Sequence, residues 1–492
     1  MKIKKDSLFA LFIIIIGFCL RVYQLGNDGL WGDEAMTAIT ATQPTIRSMI
    51  GGLRFHAMPT PLDFFVTRMF SNLGTTEFIL RLPAAIWGTL TLTLYFIFIK
   101  RYYETKVALF AVWLLTISPL LIQYSQELRF YSALIFFYAL SNLCLFRAVF
   151  LSSTPAWLVY GFVTAIGIYF HPYVLLSAFN GFLYLTFFRE TSSINYKKII
   201  TLSTSTFLCG ILFLCWYFYF AFLQNLENKT FQCNPLLTVL AGFGWLSTKH
   251  SEPIFGIWEF LNVAGVVAGL LSVIMKYKKN RLLLSMVIGT FIQIGIIILF
   301  DWIKGYWFLS RQLVHFIPTM IILVAVGYVS LSDYISRLIK RPFAKPLCAL
   351  LVIAFITLSS VPRLKDYYQT IISPGREISY KLREIHRAGE PVFIIPESDG
   401  VIYQFYLVQL QNGQNTTLLK DLRPSSWWQL SAEVTGITKT TYLIAPMPSH
   451  SSKAVQKIKS ILKSLEFKEY FIPEIQEVFD TQRLYIRKIG KD

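Results

Sequence analysis

Leu25-Gly26-Asn27-Asp28-Gly29-Leu30-Trp31-Gly32-Asp33-Glu34-Ala35-Met36 follows the first long apolar run of the chain and cannot continue it. Gly26 and Gly29 enclose an Asn-Asp pair, a combination that ends helices and makes turns. The run before it, about residues 7–25, is long enough to cross the hydrocarbon core of a bilayer. Trp31 marks a membrane–water interface, where its amphipathic ring is favoured. Two adjacent carboxylates, Asp33 and Glu34, therefore stand at a membrane surface. They either cap a helix starting near Ala35, where negative charge suits the dipole, or supply chemistry. The rest of the chain decides between these.

Of the 492 residues, 54% are hydrophobic and only 15% are charged, with a mean hydropathy of +0.51. Soluble domains carry about a quarter charged residues. The deficit, with repeated apolar runs near twenty residues, predicts a polytopic α-helical membrane protein. Eleven spans are expected, near 7–25, 79–99, 106–124, 130–149, 155–170, 172–188, 199–222, 257–275, 282–300, 309–331 and 345–361. The formal charge of +18 is no sign of nucleic acid, because the basic residues cluster in short loops between apolar runs. Anionic membrane lipid is the simpler partner. Five cysteines lie in apolar runs and only Cys233 lies in a loop, so no disulfide framework and no zinc spacing is present. The basic start, Met1 to Lys5, with Arg21 near the end of the first run, reads as an uncleaved first span.

Orientation follows from the excess of Lys and Arg on the cytoplasmic side. With the N-terminus inside, the loops holding Lys100-Arg101, Lys197-Lys198, Lys276 to Arg281 and Arg337 to Lys345 all fall inside. The opposite side then receives Asp33, the Arg129 turn, the His171 break, the 223–256 loop and the turn from Asp301 to Arg311. The expected location is a plasma membrane, a bacterial inner membrane, with this acidic and basic set on the extracytoplasmic face.

The first outer loop, about 26–77, is too long for a simple connector. Ile46, Met49, Ile50 and Leu53 would form the apolar face of a short helix lying in the interface plane. After Val361-Pro362 the composition changes. Residues 363–492 hold 18 of the 46 basic and 14 of the 28 acidic residues, a balance unlike that of the spans. Helices at 376–388, 399–411 and 452–464, with strands at 392–395, 441–444 and 483–487, predict a small extracytoplasmic α/β domain. The domains expected are thus 1–361, with the loop 26–77 inside it, and 362–492. No glycine-rich phosphate loop follows any strand of the second. Asn228-Lys229-Thr230 and Asn415-Thr416-Thr417 are sequons on the outer side.

Candidate site residues come from the outer face. Transfer of a group to a hydroxyl needs a base at the nucleophile, and a carboxylate serves. A phosphate group would be met by Arg, whose fork matches phosphate oxygens. Arg129, in Tyr124-Ser125-Gln126-Glu127-Leu128-Arg129-Phe130-Tyr131, and Arg311, in Leu309-Ser310-Arg311-Gln312, stand where spans meet the outer surface. The plain reading of each is an interfacial Arg snorkelling to headgroups. Arg81 reads as a structural helix-end residue, and Arg21 as structural, pairing with an acidic residue of the first loop. His56 and His171 each lie beside a proline-containing break. With carboxylates they could contact the acceptor or hold a divalent metal, although the spacing contains no metal motif.

The order of these pieces resembles the GT-C membrane glycosyltransferases, in the protein O-mannosyltransferase and aminoarabinose-transferase group (glycosyltransferase family 39-like). Trp31-Gly32-Asp33-Glu34-Ala35 resembles their acidic motif after span one. His56 to Leu62 resembles their His-x-Pro-Pro-Leu segment, with Thr60 for the first Pro of the pair and Asp63 for an aromatic. Phe78 to Pro83, Ser118-Pro119 through Tyr131, Tyr169-Phe170-His171 and Arg311 to Pro318 resemble later landmarks. The resemblance covers residues 1 to about 330. It implies a GT-C fold and inverting transfer of a hexose or pentose from a polyprenyl phosphate to a hydroxyl of a cell-envelope lipid, polysaccharide or protein. It implies Asp33 as base, Glu34 orienting the acceptor or holding Asp33, Arg129 and Arg311 on the donor phosphate, and Tyr131 lining the site. The rival reading is a transporter or lipid flippase, which also carries charges and broken helices. Against it, the chain has no internal repeat and its charges lie at one surface.

Overall fold

The computed structural model describes residues 5–56, 58–188, 195–221, 234–244, 247–249, 252–304, 308–339, 344–369, 373–396, 399–410, 420–425, 427–434, 437–446, 460–470 and 482–488. Cys233, both sequons and the first part of the 452–464 segment lie outside them. The helices of the first part of the chain are α1 (Lys5–Val22), α2 (Gly32–Ala41), α3 (Ile46–Gly52), α4 (Pro61–Ser71), α5 (Glu77–Tyr102), α6 (Thr105–Ile117), α7 (Pro119–Tyr124), α8 (Tyr131–Leu151) and α9 (Thr154–Ile168). They continue with α10 (Ser177–Leu183), α11 (Tyr196–Ala221), α12 (Pro235–Gly242), α13 (Ile257–Met275), α14 (Tyr277–Lys304), α15 (Ile317–Ile339) and α16 (Ala344–Gln369).

Each of the eleven predicted apolar segments is helical, because in hydrocarbon the backbone must satisfy its own hydrogen bonds. Seven described helical segments are long and apolar enough to cross a membrane: 77–102, 131–151, 196–219, 257–275, 277–303, 310–339 and 347–369. The stretches 105–117, 154–168 and 172–188 are shorter apolar helices, and α1 carries Lys5, Asp6 and Arg21 among its 18 residues. The chain is a multi-pass membrane protein.

Two compact units divide the chain. The first comprises residues 1–23, 45–66 and 82–367. Its core is a continuous set of mostly aromatic and branched side chains drawn from helices between α1 and α16. Helices α13 and α15 approach closely through small residues: a methyl group on Gly327 would lie 2.4 Å from the Gly265 carbonyl oxygen. Ser272 and Ser330 share a hydrogen bond of 2.7 Å across the same seam. Thr45 caps α3, its Oγ1 accepting from the Ser48 N–H. Met49 and Leu53 are buried against Phe64, whereas Ile46 points outward, so the predicted apolar face is narrower than expected.

The second unit comprises residues 24–44, 67–81 and 368–492. It holds α17 (Gly375–Ile385), α18 (Gly400–Leu410) and the helix Trp427–Val434. The short strands β1 (Ser247–Lys249) and β2 (Glu252–Ile254) belong to the first unit and pair antiparallel. The second unit's sheet is built from β3 (Val392–Ile394), β4 (Leu422–Pro424), β5 (Thr441–Pro446), β6 (Lys468–Tyr470) and β7 (Gln482–Arg487), in the order β4-β3-β5-β7-β6. β3 pairs parallel with β4 and β5, and β7 pairs antiparallel with β5 and β6. Phe393, Leu443 and Tyr485 of the three inner strands join Leu430 and Val434 in its core.

Candidate functional site

In the second unit, the Leu25–Met36 turn is fixed from both sides. Arg81 is almost fully buried and ties the turn to α5. Its Nη1 donates to the Leu25 and Asp28 carbonyls at 3.2 and 2.8 Å, and its Nη2 to the Gly29 carbonyl at 2.9 Å. The same guanidinium forks onto Glu34, Nε to Oε1 at 2.9 Å and Nη2 to Oε2 at 2.6 Å. Glu34 is 0% exposed, and its Oε2 also accepts from the Trp31 N–H at 3.3 Å.

Residues of the C-terminal part hold the other side of the turn. Arg376 donates to the Gly26 and Asn27 carbonyls at 3.0 and 2.6 Å. The Ser373 N–H donates to Asp28 Oδ1, and its hydroxyl to the Leu30 carbonyl. Tyr406 accepts from the Leu30 N–H at 2.6 Å and donates to Glu77 at 2.9 Å. Burial, with Glu77 beside it, raises the Tyr406 pKa, so the phenol stays protonated. A side chain on Gly29 would come within 2.5 Å of the Ser373 carbonyl, so glycine is required there.

Helix α2 begins at Gly32, three residues before the expected start at Ala35. Asp33 lies in its first turn, half-buried, where a carboxylate meets the positive end of the helix dipole. Its backbone carbonyl accepts from Thr37 Oγ1 at 2.8 Å.

The basic candidates lie in the first unit. Pro119 ends α6, because it cannot donate within a helix, and Ser118 before it is extended. The turn after α7 is pinned by polar side chains. Gln126 Nε2 donates to the Arg21 and Tyr23 carbonyls, and Tyr367 donates to Gln126 Oε1. Arg21 donates to Ser125 Oγ and to the Gly17 and Leu115 carbonyls. This places Arg129 half-buried with its guanidinium 5.1 Å from the Phe130 ring and 6.0 Å from Tyr131. Tyr131 is buried against Tyr124 at 5.0 Å. Arg311 is within electrostatic reach of Tyr124, and Arg129 of Asp63 and His171. Arg129, Tyr131, His171 and Arg311 therefore belong to one neighbourhood.

His171 ends the fifth apolar segment. Its Nδ1 accepts from the Tyr173 N–H at 3.2 Å, and its ring lies 4.7 Å from Phe130. Burial, with the Arg129 charge added, lowers its pKa to about 3, so the imidazole is neutral. Asp63 is the opposite case: burial raises its carboxyl to about 6, against the pull of Arg129. His56 packs edge-on against Phe64 at 4.6 Å. Among the described residues no three His, Cys, Asp or Glu side chains form a group able to hold a metal ion.

Two features carried no sequence signal. Gln312 caps its own turn through the Leu309 N–H and donates to Asp301 and to the Tyr173 hydroxyl. His315 is fully buried among Tyr138, Tyr173 and Phe316, and neither ring nitrogen has a hydrogen-bond partner among the described residues.

With this geometry in hand, comparison with known proteins gives a consistent fold. The sequence model of the dolichyl-phosphate-mannose-protein mannosyltransferase family matches residues 58–216, a span that holds Arg129, Tyr131 and His171 and begins after Asp33. No curated protein matches the sequence. The structure is similar to ArnT from Cupriavidus metallidurans in the apo state, with a TM-score of 0.61 at 13% identity, covering 98% of both chains. It is similar to the same protein bound to undecaprenyl phosphate, with a TM-score of 0.57 at 13% identity, covering 98% of this chain and 97% of that one. The apo oligosaccharyltransferase of Archaeoglobus fulgidus gives a TM-score of 0.52 at 10% identity, over 90% of this chain and 70% of that one. The chain has the GT-C fold of the membrane glycosyltransferases.

Proposed function

We propose that this GT-C chain is an inverting glycosyltransferase. It moves a hexose or pentose from a polyprenyl phosphate to a hydroxyl of a lipid, polysaccharide or protein on the extracytoplasmic face. The observation that carries this reading is the end-to-end likeness to a protein whose structure holds undecaprenyl phosphate. Asp33 takes the proton of the acceptor hydroxyl as the new glycosidic bond forms at the anomeric carbon. The bond from that carbon to the phosphate oxygen breaks in the same displacement, and the polyprenyl phosphate leaves as an anion. Arg129 and Arg311 stabilise that anion, with Tyr131 lining the site. Glu34 holds the Asp33 turn through Arg81. His171, neutral, is a hydrogen-bonding neighbour of the phosphate site. Purified protein with radiolabelled polyprenyl-phosphate sugars and membrane extract as acceptor tests the reaction; no transfer from any such donor overturns it. The outer-face assignment expects an external protease to remove a tag placed after Asp492 and to spare one at Met1.

Arg129→Ala and Arg311→Ala each remove a charge-assisted contact worth about 1.5–3 kcal/mol. The donor KM is expected to rise roughly 10- to 150-fold in each. Unchanged donor KM in both would take them off the phosphate.

Asp63 gives the donor site a pH dependence. A phosphodiester donor keeps its charge across the neutral range, whereas Asp63 ionises near pH 6. Below that pH Asp63 is neutral and does not draw on the Arg129 charge; above it the carboxylate competes with the phosphate for Arg129. Donor KM is expected to rise as pH goes from 5 to 8, roughly fivefold for an interaction near 1 kcal/mol. Asp63→Asn should hold the low-pH value throughout. A wild-type KM that is flat with pH would contradict this coupling.

A further inference from the structure

Within the first unit, a cavity of about 420 Å³ opens between α1, α6, α15 and α16. Each helix gives it one face: Phe9, Phe12 and Ile13 recur at helical spacing on α1, Leu109 and Trp113 lie on α6, and Val352 on α16. The wall is almost wholly apolar. Phe9 and Phe12 are 57% and 58% exposed, so the cavity faces the bilayer without a barrier. Trp113 spends its one N–H on Thr357 Oγ1 at 2.9 Å, which leaves the ring surface apolar.

One end of the cavity is polar. Lys106 and Asp333 line it and pair at 2.5 Å. Lys106 also lies 3.1 Å from Glu104, and Glu104 lies 2.8 Å from Lys279. All four side chains keep solvent-accessible surface, between 22% and 62%. Among these four described side chains two cations face two carboxylates, so their charges balance. Lys106 is at the start of α6, whose 13 residues rise roughly 20 Å before the Ser118-Pro119 break, and Arg129 lies beyond that break; no residue lining the groove belongs to the Arg129 neighbourhood. The groove is therefore separate from the Arg129 neighbourhood.

We propose that this groove is a binding site for one acyl chain of a zwitterionic glycerophospholipid. Its ammonium meets Asp333 and Glu104, and its phosphate meets Lys106 and Lys279. An unfilled apolar channel open to hydrocarbon forfeits contacts on every wall, so a lipid chain enters it. The charge-balanced rim selects the headgroup: an anionic lipid or a polyprenyl phosphate would satisfy the lysines and be repelled by the carboxylates. The proposal depends on the membrane-spanning reading and not on the glycosyltransferase reading.

Native mass spectrometry of the detergent-solubilised protein tests it, with phosphatidylethanolamine, phosphatidylglycerol and undecaprenyl phosphate offered at equal concentration. Wild type is expected to retain one phosphatidylethanolamine. Val352→Trp, which fills the groove from α16, is expected to lower that retention at least about tenfold. Ile13→Trp fills it from α1 and repeats the test if the first variant misfolds. Lys106→Gln with Asp333→Asn should keep a bound lipid but lose the headgroup preference. Equal retention by wild type and both filled variants overturns the proposal, as does a wild-type preference for phosphatidylglycerol or undecaprenyl phosphate.

Discussion

Asp33→Asn is expected to lower turnover by about 10²–10⁴-fold and to leave the donor KM unchanged, because a general base contributes by that order and the proposed phosphate contacts are other residues, Arg129 and Arg311. The substitution keeps size and much of the hydrogen bonding but cannot accept the acceptor's proton. The structure sharpens the contrast with a merely structural role. Helix α2 starts at Gly32, and the N–H of Trp31 ahead of it is met by Glu34, not by Asp33. A purely structural Asp33 would act through its local contacts and through its charge against the helix dipole, the latter about 0.3–1 kcal/mol. That loss appears as a small drop in thermal stability with turnover intact. Turnover measured on folded Asp33→Asn in nanodiscs separates the two. A value near wild type would leave the proposed reaction without a base.

What was legible in the sequence follows where local composition decides structure. The apolar runs had to be helices, and the break at His171-Pro172 followed from proline's missing N–H; Pro119, expected inside the span 106–124, instead divides that segment into α6 and α7. In the C-terminal part, β3 and β5 were legible because interior strands read as continuous apolar runs. The edge strands β4 and β6, three residues each and partly polar, gave no such signal. Contacts between distant positions were invisible. Nothing local to Arg81 announces a fork onto Glu34, 47 positions away, and nothing at Ser373, Arg376 or Tyr406 announces that they hold the 26–30 turn. For the same reason the sequence did not show that residues 24–44 group with residues 368–492. Asp63, read from the sequence as a departure from an aromatic, turns out to lie within reach of Arg129.

Glu34→Ala is expected to destabilise the protein by about 3–5 kcal/mol, the cost of leaving a buried guanidinium without its counter-charge. Arg81 cannot swing to solvent, because three carbonyls of the Leu25–Gly29 turn hold it in place. The loss should appear as a large fall in the midpoint of thermal unfolding of the solubilised protein. Glu34→Gln keeps two acceptor lone pairs for Arg81 and should cost less. Replacing both partners, Glu34→Leu with Arg81→Met, should be less destabilised than Glu34→Ala, since no buried charge is left uncompensated. Turnover separates holding from chemistry. If Glu34 acts only through Arg81, Glu34→Gln keeps turnover close to wild type once the folded fraction is counted. A Glu34→Gln protein with wild-type stability and a hundredfold lower turnover would instead put the Glu34 carboxylate in the reaction itself. Some movement of Glu34 off Arg81 during the cycle would then be required, because in this structure the fork occupies both carboxylate oxygens.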